Sequence, residues 1–319
     1  MTELRRGAFD FSVIIPAYNV SGIIERAVRS AAEQTLPPLE ILVIDDCSTD
    51  NTVEVMKALA KEISSIRILS TPVNGGPSTG RNVGLRAAKG NWVAVLDSDD
   101  AWKPGRLKRL SEVAAETSAD FVADNLVMWD AVRDAQFNNS YYTLSGRQKQ
   151  VGTIDLFDAD DNFNFTKESF SLMKPVYRRD FIVDKGLSYN ETMKVGEDFT
   201  FYAESLFNGA KFILIDEPYY IYSMPSGPSG RSPHSRTEYN IKPLTHVSSM
   251  LMEKYGSKID ANLKKSMAVY NETMNLLYQS DVARGYRRSG NYARYFGYLA
   301  ARPRLVHRLL ARAAKKAKF

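Results

Sequence analysis

The chain has 319 residues, 44% hydrophobic and 25% charged, with a formal charge of +5; that length buries one large core, or a core plus a smaller appended region. So mild a positive balance does not argue for a nucleic-acid protein, although an anionic small substrate or an anionic membrane surface would suit it. A single cysteine, Cys47, excludes an intrachain disulfide and fits a reducing compartment.

No window approaches the ~20 apolar residues of a transmembrane helix. No apolar stretch of signal-peptide length follows Arg5 and Arg6, because Pro16 and Asn19 interrupt it. A cytoplasmic protein is expected. Phe11 to Pro16 reads as a first strand, ended in a turn by Pro16 and Asn19. From Ser21, a candidate N-cap, Ile24, Ala27, Val28, Ala31 and Ala32 recur at helical spacing until Leu36-Pro37-Pro38. Glu40 to Ile44 is a second strand ending in Asp45-Asp46. Ser48 or Asp50 can cap the next helix, whose apolar face is Val53, Met56, Leu59, Ala60 and Ile63. Ile66 to Leu69 is a short strand. A glycine-rich loop, Asn74-Gly75-Gly76-Pro77, then opens a helix running to Lys89, with Gly90 expected as its C-cap.

Val93-Ala94-Val95-Leu96 is too short for a helix and reads as a buried strand of a parallel sheet. Beyond Pro104, which suits the first turn of a helix, Phe121 to Ala123 is a further strand. Residues 130–165 lack clear periodicity. Gly196-Glu197-Asp198 opens a helix closed by Gly209, and Lys211 to Tyr222 supplies one or two strands. Ser226 to Gly230 is a flexible linker, and 238–316 is helical throughout. The alternation predicts an α/β fold with a doubly wound, mostly parallel sheet and a C-terminal helical extension. Residues 1–225 form one domain (halves 11–110 and 111–225), and 226–319 form the extension.

Two acidic clusters, Asp45-Asp46 and Asp97-Ser98-Asp99-Asp100, each end a strand, so parallel strands bring both to the edge where open α/β sheets bind ligands. Carboxylates so crowded need an offsetting positive charge. A divalent cation held by one or two of them, with phosphates and water completing its shell, would supply it; a solvated acidic loop is the alternative. Tyr18 sits in the first strand's turn, where its ring could stack on a base or pack internally. Arg81, near the start of its helix, could meet a phosphate or simply be solvated.

Pro16-Ala17-Tyr18-Asn19, Val43 to Thr52, Gly75 to Asn82 and Leu96 to Asp100 resemble, in order, the motifs of family 2 glycosyltransferases, which have the Rossmann-like GT-A fold. The resemblance is dense over 11–110, sparse to about 222 and absent from the C-terminal helices. It implies a nucleotide site of Pro16, Tyr18, Asn19, Asp46, Arg81, Asp97 and Ser98, with Tyr18 on the base, Asp46 on its ring N–H and Asp97 near the ribose. It further implies Mg²⁺ or Mn²⁺ on Asp99, with Asp100 as a second ligand, and Asp198 of the Glu197-Asp198 pair as catalytic base; the alternative for Asp198 is an acid favoured by a helix N-terminus. Arg231 and His234 are weaker candidates.

The expected activity is inverting, metal-dependent transfer from a nucleotide sugar, a UDP-sugar by preference. The acceptor would be a hydroxyl of a bacterial exopolysaccharide of the succinoglycan type or another surface glycan, lipid-linked in one version. A metal-dependent phosphohydrolase and a silent sugar-nucleotide binder are the rivals. The stretch from Arg302 to Phe319 is basic and amphipathic. It fits either the inner face of the plasma membrane or a solvated helix surface.

Overall fold

The computed structural model describes residues 9–131, 133–136, 138, 140–159, 169–224 and 241–316. In chain order its elements are β1 (Phe11–Ala17), α1 (Ile24–Ala32), β2 (Glu40–Asp45), α2 (Thr52–Glu62), β3 (Ile66–Ser70), α3 (Pro77–Ala87), β4 (Trp92–Val95), β5 (Ala101–Trp102) and α4 (Arg106–Thr117). There follow β6 (Phe121–Asp130), β7 (Ala135–Gln136), β8 (Gln148–Val151), α5 (Thr153–Ala159), β9 (Val176–Arg178), α6 (Arg179–Asp184), α7 (Glu197–Phe207) and β10 (Phe212–Met224). The last helices are α8 (Leu244–Tyr255), α9 (Ala261–Arg288), α10 (Tyr292–Ala300) and α11 (Pro303–Lys316).

The ten strands form one mixed sheet in the order β3-β2-β1-β4-β9-β6-β10-β5, with β7 on β6 and β8 on β10. β1 runs parallel to both β2 and β4, so Ala17 faces Asp45 and Ile14 faces Val95. Those strands are apolar on both faces because helices cover the sheet; Val13, Ile14, Ile15, Leu42, Val43, Val93 and Ala94 are fully buried. All three therefore end at one edge.

The chain divides into two compact units, Met1–Thr153 with Ser171–Glu238, and Ile154–Phe170 with Tyr239–Phe319. Of the described residues, Ile154–Ala159 group with the helical unit. Within that unit Phe157 meets Tyr270 edge-on, with ring centroids 5.3 Å apart. Among the described residues no helix is long and apolar enough to cross a membrane.

Several local expectations change. Ser21 is not the cap of α1: the helix begins at Ile24, and the Ser21 N–H instead donates to Asp50 Oδ2 at 3.1 Å. Gly90 does not close α3, whose cap is Ala88. A Cβ on Gly90 would lie 2.3 Å from the Asp10 carbonyl oxygen, so glycine serves a close backbone approach to β1, and its N–H donates to Ser12 Oγ at 2.9 Å. The strand expected over Phe121–Ala123 extends to Asp130, and the Lys211–Tyr222 stretch is a single strand with a register break around Pro218. The 226–230 linker lies outside the described residues.

Candidate active site

The turn after β1 is held by its own polar groups. Asn19 adopts a left-handed backbone (φ 51°), which asparagine tolerates. Its Oδ1 accepts from the Thr49 N–H at 2.7 Å, and its N–H donates to Ser48 Oγ at 3.0 Å. The turns after β1 and β2 are thereby tied together. α2 begins after Asn51, so neither Ser48 nor Asp50 stands at its cap position as the sequence suggested; Asp50 Oδ1 instead accepts from the Thr52 N–H at 3.0 Å just ahead of the helix. Cys47 is also left-handed (φ 63°), with Sγ 3.5 Å from the Thr71 carbonyl oxygen.

Asp45 and Asp46 have separate tasks. Asp45 receives the Ser48 N–H at 3.3 Å and steadies the turn. Asp46, 3% exposed, accepts from the Gly75 and Gly76 N–H groups at 3.0 and 2.7 Å and from Thr71 Oγ1 at 2.6 Å. The glycine-rich loop is thus wrapped on a carboxylate that lines the cleft, which leaves a lone pair on Oδ2.

Arg81 joins the motifs. It rises from α3, is 2% exposed, and donates from Nη2 to Asp97 Oδ1 at 2.8 Å and from Nη1 to Glu197 Oε1 at 2.8 Å. Asp198 Oδ1 lies 3.2 Å from Nη1. Lys174, in the loop before β9, closes the other side: its ammonium pairs with Asp198 Oδ2 and sits 2.9 Å from Asp97 Oδ2. Burial alone would raise the Asp97 carboxyl, but Lys174 and Arg81 outweigh it and hold that group well below the usual carboxylate range. Burial likewise opposes the charge of Lys174, yet Asp198 and Asp97 keep its pKa well above the ordinary lysine value.

Asp99 and Asp100 diverge. Both Asp100 oxygens are engaged inside the protein, Oδ2 by the Tyr220 hydroxyl and Oδ1 by the Ser223 N–H, each at 2.7 Å. Those bonds anchor β10 to the acids that follow β4. Asp99 is partly exposed, and among the described residues no cation pairs with its carboxylate. Burial, then the charge of Asp97, pushes its pKa up to about 6.

Pro16, Tyr18, Asn19, Asp46, Arg81, Asp97, Ser98, Asp99 and Glu197, all named from sequence, line one open cleft of about 1440 Å³. Asp198 lies behind it beside Arg81. Arg231 and His234 lie outside the described residues. Sequence reasoning missed Lys174, which precedes Pro175 in a stretch without periodicity and carries no local signal. It also missed Arg26, whose Nη2 donates to the Asp99 carbonyl at 2.9 Å, and Trp129 at the end of β6, whose indole lines the cleft with Nε1 buried and unbonded.

Comparison with known proteins agrees with this geometry. The chain is similar to the succinoglycan biosynthesis protein ExoO of Rhizobium meliloti (strain 1021), at 33% identity over 224 residues, covering 70% of this chain and 63% of that protein's length. It is 27% identical to ExoU of the same strain over 307 residues, 95% of this chain and 87% of that one. Among solved structures, S. aureus TarS 1-349 in complex with UDP-GlcNAc superposes with a TM-score of 0.62 at 20% identity, over 87% of this chain and 73% of that one. The fold is therefore the GT-A arrangement the motifs implied. The model of Glycosyl transferase family 2 matches residues 12–172, just over half of the chain, and the chain belongs to that family.

Proposed function

We propose that this protein is an inverting, metal-dependent glycosyltransferase. It would move a sugar from a nucleotide sugar, UDP-linked by preference, to a hydroxyl of a bacterial exopolysaccharide or surface glycan. The observation that carries this reading is the Arg81–Lys174 bridge, which draws Asp97 and the Glu197-Asp198 pair into one ion network beside a cleft also lined by Tyr18, Asp46 and Asp99. The preference for uridine follows TarS, solved with UDP and with UDP-GlcNAc. The glycan acceptor follows the succinoglycan biosynthesis proteins.

Tyr18, 38% exposed, offers a ring face to the base, and Asp46 offers a lone pair to its N–H. Asp99 suits a divalent cation: it is a hard oxygen ligand on the same cleft, with no paired cation among the described residues. Among the described residues no three acid, imidazole or thiolate groups converge on one point, so diphosphate oxygens and water would complete the shell. Mg²⁺ or Mn²⁺ there would neutralise the departing diphosphate. Asp198 takes the proton from the acceptor hydroxyl as that oxygen bonds to the anomeric carbon and the bond to the diphosphate breaks, which inverts the centre.

The test is sugar transfer by Asp198→Asn and Asp99→Ala. Each is expected to lose activity about 10²-fold or more. Wild-type turnover in either variant removes the role given to that residue. Release of inorganic phosphate without an acceptor would instead favour a phosphohydrolase.

A further inference from the structure

From Val282 onward the sequence contains no Asp or Glu, whereas it contains eleven Lys or Arg residues and six aromatic ones. The chain as a whole is only +5, so the residues before this point are net negative together. Such segregation of charge is what a soluble surface avoids, since interspersed signs keep helix faces from attracting polyanions. As far as Lys316 the segment is largely helical. α10 and α11 fold back beside α9, where Leu305 is fully buried against Leu276, and Leu277, Tyr298, Leu299 and Leu309 pack around them.

That packing uses one side of the short helices and leaves another bare. α10 is strongly apolar (Tyr292-Ala293-Arg294-Tyr295-Phe296-Gly297-Tyr298-Leu299-Ala300), yet none of its residues is buried. Tyr292 and Phe296, four apart and so on one face, are 57% and 64% exposed, and Leu310 of α11 is 65% exposed. Arg294 is exposed, and the Arg304 side chain is 86% exposed, with the Glu272 carboxylate at 3.8 Å.

We propose that α10 and α11 form a docking face for an anionic lipid bilayer. Amphipathic rings settle at the headgroup level while Phe and Leu enter the acyl boundary. Each Lys or Arg beside an anionic leaflet strengthens binding about fivefold. A second copy of the chain is the poorer occupant, because two such faces would bring several like charges together, and Glu272 beside Arg304 offsets only one of them. This inference does not depend on the donor-site reading.

Co-sedimentation of the full chain with vesicles tests it. The chain binds vesicles of phosphatidylcholine mixed with phosphatidylglycerol, does not bind phosphatidylcholine alone, and is released by salt. Arg294→Gln with Arg304→Gln lowers the partition about 30-fold, and Tyr292→Ser with Phe296→Ser lowers it about tenfold or more. All four positions are exposed, so the melting temperatures of the variants stay near that of the wild type. Unchanged binding by either double variant overturns the proposal. So does failure of the wild type to sediment with anionic vesicles, a dimer that the aromatic variant dissolves without altering sedimentation, or retention on single-stranded DNA in place of vesicles.

Discussion

Lys174 shows how one side chain can tie two halves of a site. Its ammonium lies between Asp97, on the strand that carries the donor motif, and Asp198, on the helix that carries the proposed base. Without it, Asp97, Glu197 and Asp198 would share Arg81 alone. Breaking a buried pair from one side costs about 3–5 kcal/mol, and a small misplacement of a reacting group costs up to about 10²-fold in rate. Lys174→Met is therefore expected to lower the melting temperature and to reduce kcat more than it raises the donor KM, with Lys174→Arg restoring part of both. Combined with Asp198→Asn, the effects on kcat should fall well short of additive, because both substitutions disable one group. Additive losses would show that Lys174 acts elsewhere.

At the level of elements, the parallel half of the sheet was legible because its signals are local. Short apolar runs, strand-end acids and a Gly-Gly-Pro helix start each point to one structure. Gly90 misled because a glycine beyond a helix has the same sequence context whether it caps the helix or admits a neighbouring backbone. The insertion of β9 between β4 and β6 was not legible, since three residues pairing antiparallel on both sides carry no periodicity. Asp100 and Asp99 look equivalent in sequence; only the fold turns one toward Tyr220 and leaves the other in the cleft.

β2 begins at Glu40, which yields a prediction about this half of the sheet. Glu40 is buried, accepts from Ser12 Oγ and the Lys89 N–H at 2.7 Å each, and pairs with Arg67. Burial alone would raise its carboxyl, but Ser12, Lys89 and Arg67 together hold it below its ordinary value. Because the folded pKa is the lower one, this stabilisation is present above the unfolded value of 4.5 and fades as pH falls through the folded value. Glu40→Gln should cost about 1–2 kcal/mol at neutral pH, Arg67 being partly screened. Denaturant melts should show the gap to wild type closing as pH falls below 4.5; a gap that widens on acidification would contradict the assignment.

For the whole molecule, the described residues that line the cleft belong to the first compact unit, so donor binding should register as stabilisation of that unit. A ligand selective for the native state at a hundred times its Kd contributes about 2.7 kcal/mol. UDP with Mn²⁺ is expected to raise the melting temperature by several degrees, an effect that Asp99→Ala loses and that omission of Mn²⁺ diminishes. A shift equal with and without Mn²⁺, in both wild type and variant, would remove Asp99 from metal binding.

Cys47 has a practical consequence for all of these measurements. Its left-handed backbone is a conformation that glycine and asparagine accept readily, so Cys47→Gly or Cys47→Asn offers a route to a thiol-free background in a chain with no other cysteine. A fluorophore could then be attached at one engineered position, beside the cleft or on the aromatic helix, and each would report on its own event.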